Sequence, residues 1–127
     1  MSRTFFTLGA SLAFIGVGAG ALGAHAMKDR LAPDLLAAWE TGARYGLYHA
    51  LALLVLALAM SRWPGSLWTT TGWLFVAGSL LFSGSLFALA LTGMRWLGAI
   101  TPIGGVCLLL GWLAAIAAAL RNVAGPA

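Results

Sequence analysis

The chain has 127 residues, 61% of them hydrophobic and 8% charged, with a net charge of +4. A soluble domain carries about 25% charged residues, so this composition excludes a protein that covers its surface in water. The pI near 10.3 does not mark a nucleic-acid binder, because the seven basic residues are scattered and form no patch.

The basic residues stand instead where membrane spans begin and end. With a mean hydropathy of +0.96, the solvent that suits the chain is lipid. The expected fold is an all-α integral membrane protein, one domain of four transmembrane helices over 5–26, 44–61, 67–91 and 100–120. An amphipathic, partly interfacial segment over 33–43 leads into the second helix. Cys107 has no second cysteine to pair with and reads as a small buried hydrophobe.

The first apolar run follows Arg3 and is long enough to cross about 30 Å of hydrocarbon. Ala24-His25-Ala26 resembles a signal-peptidase site, which leaves a cleaved leader as the rival reading. Gly16 and Gly20, four residues apart, form a small-xxx-small pair that lets a second helix approach closely. Lys28, Asp29 and Arg30 end the span.

Pro33 suits a first helical turn, and Asp34 beside it suits the positive end of the helix dipole. The helical pattern then continues to Met60, about 42 Å at 1.5 Å per residue, which exceeds the hydrocarbon thickness. Gly42 and Gly46 mark a bend or a close helix contact.

This stretch also carries most of the polar chemistry: Glu40, Arg44, Tyr45, Tyr48 and His49 fall within about three turns. Glu40 and Arg44 are i,i+4 and can pair on one face. Tyr45 and His49 share another face, and His49 lies about 180° around the helix from Glu40. Glu40 and His49 therefore do not address one small site together.

Arg62 to Gly65 make a short turn, flanked by Trp63 and Trp68 at the depth of an aromatic belt. In the third span Gly78, Ser79, Ser83 and Gly84 provide small surface and hydroxyls that can bond across helices or to their own backbone. Gly93 suits a left-handed cap. Thr101-Pro102 opens the last span, with Gly104 and Gly105 as further small surface. Leu97 to Ile100 then form an apolar connection expected to be covered by protein. Arg95 reads as a snorkelling boundary residue. Basic residues divide three against four between the two sides, which leaves the orientation open.

Gly23-Ala24-His25, Trp39-Glu40-Thr41, Tyr48-His49-Ala50-Leu51-Ala52 and Phe82-Ser83-Gly84-Ser85-Leu86 occur in that order. Ala90 to Gly93 and the long block from Arg95 to Gly105 follow. In these blocks, which cover nearly the whole chain, the sequence resembles the YgdD-like family of small inner-membrane proteins, related to the eukaryotic transmembrane protein 256. The resemblance implies a four-span protein of the bacterial inner membrane, of uncharacterised function, with no catalytic or binding residues to carry over.

The two histidines are the candidate ligand set. His25 and His49 would be weak metal or haem ligands, since their spacing fits no metal motif; the plainer reading is that each fixes helix packing through a hydrogen bond. No cofactor is expected. No nucleophile–base–acid set, phosphate loop or metalloprotease helix is present, so an enzyme is not expected. With 17 glycines, the chain reads as an accessory or scaffold subunit of a larger membrane complex, or a homo-oligomer, acting through helix packing in membrane lipid. The alternative is a transporter or channel for a small solute, ion or lipid, built on the polar residues of the second span and the serines of the third.

Overall fold

The computed structural model describes residues 1–124. Four helices account for nearly all of them: α1 (Ser2–Ala24), α2 (Pro33–Arg62), α3 (Ser66–Thr92) and α4 (Thr101–Ala124), with a short 3-10 helix at Arg95–Ala99. All four α-helical stretches are long and apolar enough to cross a membrane, yet only 22% to 39% of their most apolar windows is buried inside the protein. The remaining apolar surface faces outward, and lipid is the solvent that tolerates it.

Each helix packs against the next one in sequence: α1 on α2, α2 on α3, α3 on α4. The row is open rather than closed. Only long side chains bridge non-consecutive helices, as where Phe5 of α1 reaches Gly72 of α3. Phe5 is fully buried and starts the main core, with Leu53, Leu56, Trp68, Phe75 and Leu108. A second, smaller core at the opposite end holds Ala19, Trp39, Ala43 and Ala90.

The packing follows from where glycines stand. Phe5, Gly9, Gly16, Ala19 and Gly23 are the buried positions of α1, and with the half-buried Leu12 they are spaced alternately by four and three. That 3.5-residue period keeps one stripe against a partner that crosses at a shallow angle. Gly9 sits against Ala50 and Leu53, Gly16 against Leu47, and Gly23 against the Trp39 ring. Gly20 is not part of this stripe, and a Cβ there would meet nothing within 4 Å. Of the pair Gly16 and Gly20, attractive by its four-residue spacing, only Gly16 touches α2. Gly84 likewise has open space beside it.

The other expected packing glycines are in contact. Gly42 faces Leu86 and Phe87, Gly46 faces the Ser83 hydroxyl, and Gly78 faces Leu108. Gly104 makes the closest approach to backbone, against Phe82 and the Gly78 carbonyl, while Gly105 has ordinary contact with the Phe82 ring.

The connections behave as their residues dictate. Gly93 caps α3 with φ 71°, the left-handed conformation that a glycine takes without penalty. α2 is one helix from Pro33, and Trp39, Gly42 and Gly46 are buried within the row. α1 ends level with Trp39, since Gly23 touches that ring. Within the expected interfacial stretch 33–43, Trp39, Gly42 and Ala43 are buried against neighbouring helices. The link between α3 and α4 is partly covered by protein: Leu97, Gly98 and Ile100 are half-buried and Ala99 is exposed. It also closes its own hydrogen bonds, Leu97 N–H to the Met94 carbonyl and Ile100 N–H to the Leu97 carbonyl, so full burial is not needed to satisfy its backbone.

Candidate functional site

An open row leaves grooves between next-but-one helices, and two of them carry the residues of interest. The first runs between α1 and α3 over α2. It is lined by Gly16, Gly42, Gly46, Ser79, Ser83 and Phe87, among others, and encloses about 120 Å³. Ser83 donates a hydrogen bond of 2.6 Å to the Gly42 carbonyl, 41 residues away. Glycine at 42 and 46 is what lets α3 come close enough for that bond. The Ser79 hydroxyl, also buried, has no partner among the described residues.

The second groove lies between α2 and α4 over α3. His49 stands in it, on the side of α2 turned away from α1. Trp112 of α4 donates its indole N–H to His49 Nε2 at 3.0 Å, and His49 Nδ1 is 2.8 Å from the Tyr45 carbonyl. An indole N–H can only donate, so Nε2 accepts and Nδ1 carries the proton to Tyr45. Both ring nitrogens are used. The ring also packs edge-on against Phe75 at 5.3 Å.

This bridge divides the α2/α4 groove in two. The part toward Pro102 is lined by Tyr45, Phe82, Gly105 and Val106. The part toward Trp63 is lined by Ala52, Val55, Ala59, Trp68 and Ala115. Tyr45 packs tilted against Phe82 and edge-on against Tyr48, at 5.2 and 5.5 Å, and both tyrosines are exposed.

Other expected residues are not brought together. His25 ends α1 at the level of Trp39 and is exposed. His49 lies ten residues further along α2, about 15 Å deeper, and on another side of it. No group of three His, Cys, Asp or Glu side chains stands together among the described residues. Glu40 and Arg44 share a shallow groove with Gly16, Gly20 and Ala24 but do not form the expected ion pair. Among the described residues the ion pair is Arg95 with Asp34, at 2.7 Å. Arg95 thus ties the link after α3 to the first turn of α2 rather than merely marking a boundary. The hydrogen bond from Arg95 holds the Asp34 carboxyl below its usual range; this carboxyl is exposed in the first turn of α2, ahead of the span expected over 44–61.

Three tryptophans matter here through their indole N–H groups, which composition and spacing did not single out. Trp39, itself buried, donates its N–H to the Ala19 carbonyl at 2.7 Å. Trp112 completes the His49 bridge. Trp68 is buried and its N–H has no partner among the described residues. An indole in a membrane-boundary position is a recognisable signal in sequence, but its partner, tens of residues away, is not.

Comparison with known proteins agrees with the helical architecture. Residues 19–105 match the family model described as "Protein of unknown function (DUF423)". The chain is 43% identical over 120 residues to the UPF0382 membrane protein YwdK of Bacillus subtilis, covering 94% of this chain and 98% of that one. It is 45% identical over 119 residues to a UPF0382 membrane protein of Staphylococcus epidermidis, covering 94% and 97%, and 39% identical over 121 residues to one of Staphylococcus haemolyticus, covering 95% and 98%. No solved structure matches. The chain belongs to this DUF423/UPF0382 family of small multi-pass membrane proteins of the bacterial inner membrane.

Proposed function

We propose that this family member acts through helix packing, as an accessory subunit of a larger membrane complex or as a homo-oligomer, and without a catalytic centre. The observation that carries the reading is the outer side of α1. Thr4, Thr7, Ser11, Phe14, Gly18 and Ala21 are all exposed, and they recur at spacings of three and four. This is the same 3.5-residue period as the inner stripe, displaced by two positions, about 200° around the helix.

Small residues at such spacing let a second helix approach, and in lipid that close packing is what drives association. The hydroxyls of Thr7 and Ser11 bond to the carbonyls of Arg3 and Thr7, so they are no obstacle to burial. Phe14, 82% exposed, stands between Ser11 and Gly18 as a knob with small residues on either side. A helix that faced only lipid would have no need of glycine and hydroxyls in register.

The test is native mass spectrometry of the full chain released gently from its own membrane. A fixed homo-oligomer, or a stoichiometric partner, is expected, and Gly18→Leu should release the chain as a monomer. A chain that is strictly monomeric and copurifies with nothing sinks the reading.

The transport reading has the α2/α4 groove in its favour. Against it, that groove is lined almost wholly by carbon and is crossed by the His49–Trp112 bond. Flux of a small solute through proteoliposomes that falls in His49→Ala and Arg44→Ala variants would favour transport.

A further inference from the structure

Glu40 and Arg44 stand one turn apart on α2, in the order that best supports an ion pair along a helix, acid before base. They do not pair, and neither has another ion-pair partner among the described residues. Both are exposed, and both line the shallow groove between α1 and α2 whose far wall is Gly16, Gly20 and Ala24. Two opposite charges held within reach of each other, and both left open, are the complement of a zwitterion. We propose that this groove is a binding site for an aminophospholipid, with Arg44 on its phosphate and Glu40 on its primary ammonium.

The order of the two charges along α2 matches the order of the two groups in the lipid. Arg44 lies four residues beyond Glu40, about 6 Å further toward the bilayer interior. In such a lipid the phosphate joins the glycerol, and the ammonium follows two carbons further out. The Cβ atoms of an i,i+4 pair are about 5–6 Å apart, a separation that a two-carbon link and two flexible side chains span. Glu40 is level with the end of α1: its Cγ lies 3.7 Å from where a Cβ on Gly23 would stand. The C-terminal end of a helix carries partial negative charge, and α1 has no basic residue in its last turn to answer it. A cation beside Glu40 is therefore favoured twice. Lys28, Asp29 and Arg30, in the turn that follows α1, do not line the groove.

The rest of the groove suits the part of a lipid just below its headgroup. It encloses about 280 Å³. Gly20 keeps it open, since a Cβ there would meet nothing within 4 Å. Deeper than Arg44 the walls are Gly16 and Leu47, apolar surface for the glycerol and the start of an acyl chain. A small soluble zwitterion would answer the charges and leave that surface bare. A phospholipid without an amine leaves Glu40 unanswered, and one with a trimethylated nitrogen brings charge but no N–H to donate. The site does not depend on the outer stripe of α1, so a monomeric protein would still show it.

The test compares phosphatidylethanolamine, phosphatidylcholine and phosphatidylglycerol with the same acyl chains. Lipid retained on the full chain in mild detergent is read by native mass spectrometry. One charge-assisted hydrogen bond at an exposed site predicts that phosphatidylethanolamine is retained about three- to tenfold better than phosphatidylcholine, whose nitrogen has no hydrogen to donate. Glu40→Gln should bring phosphatidylethanolamine down to the level of phosphatidylcholine. Arg44→Gln should lower all three, because all three carry the phosphate. Equal retention of phosphatidylethanolamine and phosphatidylcholine by the unaltered protein overturns the proposal, as a second copy seated over the two charges would give. A preference that survives Glu40→Gln overturns it too. The first comparison needs no variant, so a variant that failed to fold would not blunt it.

Discussion

The two sides of α1 follow one spacing rule and meet different fates. On the inner side Gly9, Gly16 and Gly23 each receive part of α2. On the outer side Gly18 has nothing within 4 Å, although its neighbours at three and four residues are just as regular. A glycine in a membrane helix is therefore not informative alone. What it does depends on which stripe it belongs to, and the stripe is set by a period of 3.5 rather than by any one pair.

The contrast is sharpest if leucine is placed on each side. Gly16→Leu would drive a side chain into Leu47, whose Cβ and backbone N lie 3.3 and 3.4 Å from a Cβ there. We expect a loss of about 3 kcal/mol or more, as for overpacking in a filled core, read as a large drop in thermal unfolding temperature in detergent. Gly18→Leu should leave the unfolding of the isolated chain nearly unchanged while removing association. Equal destabilisation by the two variants would erase the distinction between the faces.

Alanine makes a finer version of the test in the other helix pair. At Gly104 the added methyl meets the Phe82 backbone, which cannot rotate aside. Gly104→Ala should cost about 1–3 kcal/mol. Gly84→Ala, with open space beside it, should instead gain up to about 1 kcal/mol from helix propensity. Opposite signs in the two unfolding temperatures are the expected result.

Trp39→Phe probes the inner side of α1 without adding bulk. It removes the hydrogen bond to the Ala19 carbonyl and should cost about 1 kcal/mol, the usual net worth of one such bond. The smallest effect belongs to Asp34 and Arg95, which are both exposed. Because the Asp34 carboxyl is held below its usual 3.8, the pair contributes above that pH and is lost only as pH falls through the lower folded value. Asp34→Asn should therefore change stability little at neutral pH, less still in high salt, and should flatten the acid limb of the stability curve.

Much of this was legible beforehand, for reasons that can be named. Hydropathy marks the spans because lipid demands a long unbroken apolar run. Gly93 and Pro102 mark a helix end and start because only certain residues fit those backbone positions. The glycine stripe was present in the spacing of residues 9, 16 and 23, but the four-residue pair Gly16 and Gly20 masked it. Contacts that join distant positions were not legible. Nothing local in Asp34 points to Arg95, and nothing in His49 points to Trp112, because these pairs exist only once the helices stand side by side. The Glu40–Arg44 pair failed for the converse reason: i,i+4 spacing permits a contact without requiring it.

The consecutive neighbour packing has a consequence for how the chain is made. Spatial order equals synthesis order, so no helix waits for a partner that is still to be translated, apart from the next one. α1 and α2 form a hairpin with its own stripe and its own Trp39 bond, complete once Arg62 has emerged. α3 and α4 form a second hairpin that locks through Gly104. Contacts this local favour rapid assembly, and N-terminal units fold first during synthesis. The protein can therefore enter the bilayer as two successive hairpins, with Phe5 and the α2–α3 seam joining the finished halves.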